Sequence, residues 1–176
     1  MIYLDSSALV KRYVDEPGSD AVDRLLAEHR YASTSRLAYP EVLSALRRKH
    51  AARDFPARVL TRLIAAFESD WGKLFVLEFE EELLPAVKHA ILNHGVKGAD
   101  AVHLASATWL RSVLKEDVVF ACADAKLLTA ARAERLIPWG GGSSLGEGHS
   151  SPAGGGHPSP PPFIDEPKSV PRKRLP

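Results

Sequence analysis

The first fourteen residues, Met1–Val14, read MIYLDSSALVKRYV. A short apolar run at 2–4 meets an aspartate and two serines, then gives way to a long apolar-periodic stretch. Asp and Ser are favoured helix N-caps, because a side-chain oxygen there satisfies an amide that the first turn leaves unpaired. The stretch therefore reads as a buried strand turning into a helix, with a carboxylate at the joint. Either Asp5 or Ser6 can start that helix. Whether Asp5 does more depends on what the rest of the chain brings beside it.

Working outward, the same alternation repeats. Short apolar runs at 2–4 (IYL), 31–33 (YAS), 74–79 (LFVLEF), 118–123 (VVFACA) and 136–139 (LIPW) read as strands. Segments with helical spacing lie between them. In FPARVLTRLIAAFES, Val59, Leu60, Leu63, Ile64 and Phe67 form one apolar stripe. In EEELLPAVKHAILNHG, Leu83, Leu84, Val87 and Ile91 repeat it, with Gly95 as the stop. ADAVHLASATWLRSVL is a further helix with Asp100 in its first turn, and SRLAYPEVLSALRRKH is another, with Pro40 near its start. Strands alternating with helices predict an α/β fold, a central parallel sheet flanked by helices.

After Trp139 the chain becomes rich in Gly, Pro and Ser and loses its apolar period. Such a segment cannot offset the entropy of ordering itself, so a domain over 1–139 and a disordered tail over 140–176 are expected. An apolar share of 45% with 26% charged residues is ordinary for a globular domain. With no run of about 18 apolar residues, no membrane span is expected. The acid at position five leaves no room for the apolar core of a secretory signal, so a cytoplasmic location is expected. The single cysteine, Cys122, sits in an apolar run and excludes an internal disulfide. A net charge of +1 means that nucleic-acid binding would rest on a local basic patch.

Four carboxylates share an unusual placement. Asp5 and Asp124 end strands, and in an open parallel sheet the carboxyl ends of strands lie along the edge where ligands bind. Glu41 and Asp100 lie in first helical turns. Each has a structural reading as a cap or as a complement to the helix dipole. All four, however, stand beside core-facing residues: Glu41, Asp100 and Asp124 in EVLSAL, DAVHLASA and FACADAKLL, and Asp5 directly after the apolar run at 2–4. Acids converging in a poorly hydrated notch repel one another and raise each other's pKa. A hard divalent cation relieves that repulsion, and carboxylate oxygens suit Mg²⁺ or Mn²⁺.

The blocks MIYLDSSALVKRYVDEPGS, YPEVLSALRR, GADAVHLASA and ADAKLLTAARAERL, in this order, resemble the signatures of PIN-domain ribonucleases, most closely the VapC-type toxins of toxin–antitoxin pairs. The resemblance implies a metal-dependent endoribonuclease acting on an RNA substrate, with Asp5, Glu41, Asp100 and Asp124 as the acidic quartet that holds Mg²⁺ (or Mn²⁺). It implies that Ser6 is the hydroxyl residue beside the first acid. It also implies a cognate antitoxin and a homodimer, for which the helices at 56–69 and 81–94 offer surfaces. A housekeeping RNA-processing nuclease, or a degenerate domain that only binds protein, would share the pattern; the second would be expected to lack an acid.

Other residues carry less. His103, one turn after Asp100, suits a packed core histidine better than a ligand. Lys11, Arg12, Arg47, Arg48, Lys49 and Arg53 could line a phosphate track but fit solvated helix faces as well. A phosphatase with an Asp nucleophile would place a second acid two residues after the first, where this chain has Ser7. No phosphate-binding G-x-x-x-x-G-K-[ST] loop is present.

Overall fold

The structure, a computed structural model, describes residues 1–141. Five short parallel strands, β1 (Ile2–Leu4), β2 (Ala32–Ser35), β3 (Phe75–Leu77), β4 (Val119–Ala121) and β5 (Ile137–Trp139), form one sheet in the order β3-β2-β1-β4-β5. All five expected strands are present: β1 as expected, β3, β4 and β5 trimmed, and β2 shifted from 31–33 to 32–35. The tail expected over 140–176 lies outside the described residues beyond Gly141.

Side chains alternate across a strand, and β1 divides them between two cores. Ile2 and Leu4 pack with α1 (Ser6–Val10), α2 (Ser19–Glu28), α3 (Ala38–Ala51) and α4 (Ala57–Trp71) on one face. Tyr3 packs with Phe120, α6 (Gly98–Leu114) and α7 (Ala125–Ala133) on the other. The result is helix, sheet, helix. Burying Ile2, Tyr3 and Leu4 completely stabilises the centre by about 1.5–3 kcal/mol for each large apolar side chain. β1 is thus the rigid floor under whatever follows Leu4.

Besides α2, which the sequence reading did not place, two elements depart from it. The helix after Asp5 lasts only through Val10; Pro17 and Gly18, the latter at φ 92°, turn the chain before α2. A side chain would strain that left-handed turn. The helix expected across 81–94 is three pieces: a 3₁₀ turn (Glu81–Leu83), α5 (Leu84–His89) and a π segment (Ala90–His94). Gly95 stops it at φ 61°, as its position suggests. The changing pitch breaks the stripe. Leu83 is buried, whereas Leu84 and Ile91 are 50% and 39% exposed.

Candidate active site

The chain runs outward from β1 to β3, then returns to the other side of β1 for β4 and β5. The strand order therefore reverses between β1 and β4, and the crevice at their carboxyl ends is where such sheets bind ligands. Asp5 leaves β1 there, its backbone N–H donating to Ala121 O at 2.9 Å. Asp124 follows β4 on the adjoining strand end.

Asp5 stands at the N-cap position of α1, yet its carboxylate makes no cap hydrogen bond. It accepts instead from the Ser7 hydroxyl at 2.6 Å and from the Ser6 hydroxyl at 3.3 Å. Ser7 Oγ in turn accepts from the backbone N–H of Ala123 at 2.9 Å, tying the Asp-Ser-Ser turn to the end of β4. Only 4% of Asp5 is exposed. Its charge is aimed into the crevice by partners that do nothing for the helix.

Glu41, in the first turn of α3, reaches the same place from above. Its Oε2 accepts from His103 Nε2 at 2.8 Å, and the same nitrogen lies 3.6 Å from Asp5 Oδ1. Tyr3, under the site, meets His103 Nδ1 through its hydroxyl at 3.0 Å. His103 is fully buried, as a core histidine should be, but it is also the bridge between two of the acids. Burial opposes its protonation; the Glu41 hydrogen bond and the charges of Asp5, Glu41 and Asp100 overcome this and raise its pKa. Burial likewise opposes ionisation of Glu41, and the hydrogen bond and charge of His103, with Ser6, outweigh it and lower that pKa.

Asp100 lies in the first turn of α6. Burial, then the charges of Asp5 and Asp124, push its carboxyl above the usual aspartate value, against His103 and the Lys97 backbone. Asp124 is the exposed member, and the cap reading holds for it: Oδ1 accepts from Leu127 N–H at 2.8 Å at the start of α7. Asp5, Glu41 and His103 converge within 4.8 Å as a possible metal-holding group. Asp100 and Asp124 stand outside that cluster, and the charges of Asp5 and Asp124 both act on Asp100. The same acidic field, after burial, pushes the buried Cys122 thiol up to about 12.

A groove of about 560 Å³ opens beside the acids. Ser6, Ser7 and Glu41 line one part of it, and Arg48 and Lys49 another. Lys49 pairs with Glu16 at 2.7 Å, and Lys11 lies 3.4 Å from the same acid. Arg12 turns away into the protein, pairing with Asp70 at 2.9 Å and Asp23 at 3.6 Å. Arg47 and Arg53 are not among the lining residues.

The PIN-domain family model matches residues 2–132. The chain belongs to the PIN-domain family. Among curated relatives, Ribonuclease VapC45 of Mycobacterium tuberculosis (strain CDC 1551 / Oshkosh) is 35% identical over 133 residues, covering 76% of this chain and 90% of the relative. Ribonuclease VapC49 of strain ATCC 25618 / H37Rv matches to the same extent. Among solved structures, the complex titled "Structure of FitAB bound to IR36 DNA fragment" superposes with a TM-score of 0.62 at 16% identity, over 84% of this chain and all of that one. That likeness establishes the PIN fold alone.

The sequence reading left two residues of this PIN domain out of the site: His103, weighed as a ligand and taken as a packed core residue, and Ser7. His103 carried a usable signal, its one-turn spacing from Asp100 on an otherwise apolar helix. Ser7 carried a fainter one, a second hydroxyl directly after Asp5. Its contacts run to Asp5 and to Ala123, 116 residues away, which no local pattern shows.

Proposed function

We propose that this PIN domain is a Mg²⁺-dependent endoribonuclease, the toxin of a type II toxin–antitoxin pair, working in the cytoplasm. What carries the reading is the meeting of Asp5 and Glu41 through His103 at the point where strand order reverses, with Asp100 and Asp124 close enough for their charges to interact. The donors suit the ion. Asp5, Glu41, Asp100 and Asp124 offer hard oxygens; burial, and after it the charges of Asp5 and Asp124, raise the Asp100 pKa, and a dication would relieve that repulsion. The curated relatives named Ribonuclease VapC support RNA as the substrate.

Asp5, Asp100 and Asp124 would hold the cation, and Glu41 would complete the donor set or orient the attacking water. A bound Mg²⁺ (or Mn²⁺) supplies a Lewis acid that lowers the pKa of the attacking water and offsets charge on the departing ribose oxygen. His103 keeps Glu41 charged and fixed. Ser7 holds the Asp5 carboxylate, leaving Ser6 to position a water or a phosphate oxygen. Arg48 and Lys49 give the RNA backbone a cationic wall facing the acids. An antitoxin would close the crevice by placing a basic side chain among the carboxylates. α4 turns its apolar stripe into the core, so the homodimer surface lies instead around the exposed Leu84, Ile91 and Leu92.

The test is cleavage of structured RNA by the purified chain with Mg²⁺, with Mn²⁺ and with EDTA. Cleavage should require the ion and be restored by adding it back. Undiminished activity in EDTA would refute the metal mechanism.

A further inference from the structure

A second group of ligand-type side chains lies away from the acids. His89 ends α5, His94 ends the π segment, and Glu134 caps the end of α7. His94 Nε2 is 2.7 Å from Glu134 Oε1, and His89 Nε2 is 3.1 Å from the same oxygen. Their ligand atoms all lie within 4.8 Å of one another. We propose that His89, His94 and Glu134 form a binding site for a borderline transition-metal dication, Zn²⁺ above all.

The backbone is built to bring them together. In an α-helix, positions five apart point about 140° away from each other. The π turn, closed from i to i+5, carries His94 round to the face of His89, and such turns recur at functional sites. Gly95, left-handed, ends the segment there, and its carbonyl accepts from Lys126 Nζ. The π segment is therefore tied to α7, the helix that carries Glu134.

The contacts fit a metal better than a simple ion pair. Two imidazoles that only paired with a carboxylate would gain by using both its oxygens; these converge on one. The other nitrogen of His89 is held as well, 2.7 Å from the Asn93 amide. The atom there is the amide nitrogen; rotating the amide by about 180° would bring its oxygen to accept from Nδ1–H and leave Nε2 bare for a metal. Two nitrogens and one oxygen suit Zn²⁺, whereas Mg²⁺ prefers oxygen alone. A tetrahedral ion would keep its fourth position open. A pocket of about 280 Å³, lined by Ala86, Ala90, Leu104 and Thr108 together with His89 and Glu134, offers that position room. A bound ion would pin the 84–94 segment to the end of α7 and so raise the stability of the folded state.

The experiment titrates Zn²⁺ into the tag-free full chain by calorimetry, with excess Mg²⁺ present to fill the carboxylate site. Co²⁺ absorption spectra report the coordination geometry. One ion per chain should bind, with tetrahedral Co²⁺ bands and a rise in Tm. His94→Ala and Glu134→Gln should each weaken binding by on the order of tenfold or more and abolish the Tm rise. Asp100→Asn, in the other site, should leave zinc binding as it was. If circular dichroism shows His94→Ala unfolded, His89→Ala, at a half-exposed position, stands in for it. Zinc binding that survives these substitutions, whether at the tail histidines His149 and His157 or elsewhere, would overturn the proposal. So would loss with Asp100→Asn.

Discussion

At the scale of single residues, the site is a set of charges held by neighbours that are themselves buried. His103 shows the coupling most clearly. Tyr3→Phe removes the hydroxyl that meets His103 Nδ1 at 3.0 Å and leaves that buried nitrogen without it. We expect a loss of about 1–3 kcal/mol in urea unfolding, with reduced cleavage because Glu41 is no longer held in place. Asp100 behaves in the opposite sense. Its pKa is raised in the folded state, so its contribution to stability is full below the ordinary aspartate range. That contribution is lost as pH rises through the raised value. At neutral pH, without metal, its charge therefore works against the fold. Asp100→Asn should melt at the same temperature or slightly higher in EDTA while RNA cleavage collapses. A clear drop in Tm would show that the acid is there for the helix. Asp5 was legible in the sequence because it stands at a strand–helix joint, and Asp100 because it lies in the first turn of a helix beside core-facing residues. Ser7 and Tyr3 were not, because their roles arise from contacts across the sheet and across the fold.

At the scale of elements, Asp124 separates capping from chemistry. Its Oδ1 holds Leu127 N–H, so removing the side chain should cost α7 its first-turn partner. Asp124→Ala should lower stability by about 0.5–2 kcal/mol and cut cleavage. Asn is as good an N-cap as Asp, so Asp124→Asn should restore the melting temperature but not the cleavage rate. If Asn restores both, the residue is a cap and nothing more. Elements of uniform period were readable from the sequence. α4 and α6 carry their apolar stripes over 15 and 17 residues, and four of the five strands show as short apolar runs, whereas β2 is mostly hydroxyl residues whose side chains donate to β1 carbonyls. The 84–94 segment was misread because apolar residues alone do not reveal a change of pitch. Leu84 and Ile91 fit a helical stripe on paper, and the π turn then rotates the stripe out of the core. α2 escaped notice although Val22, Leu25 and Leu26 are buried, because Pro17 and Gly18 cut the preceding stretch and the helix is short.

At the scale of the whole molecule, a net charge of +1 leaves RNA affinity to local arrangement. Glu16 sets that arrangement by holding Lys49 and Lys11. Burial opposes its charge, but the two lysines prevail and depress its pKa. The stability it contributes is therefore present above the ordinary glutamate range and lost as pH falls through the depressed value. Glu16→Gln should flatten that acid limb of the stability profile. It should also release two cations beside the groove, tightening RNA binding at low salt. The slope of log affinity against log salt should steepen by at most about 1.4, two phosphates at about 0.7 each. The tail tests the same electrostatics from outside the domain. Gly141 closes the described fold at φ 74°, with Gly18 and the Trp139 ring within reach of a Cβ built there. Removing 142–176 should leave Tm and metal-dependent cleavage unchanged. It takes away Arg172, Lys173 and Arg174, whose phosphate contacts would be worth at most about 2 in the same salt slope. Affinity measured at two salt concentrations should converge for full and shortened chains as screening grows. A large fall in Tm on truncation would mean instead that the tail packs on the domain.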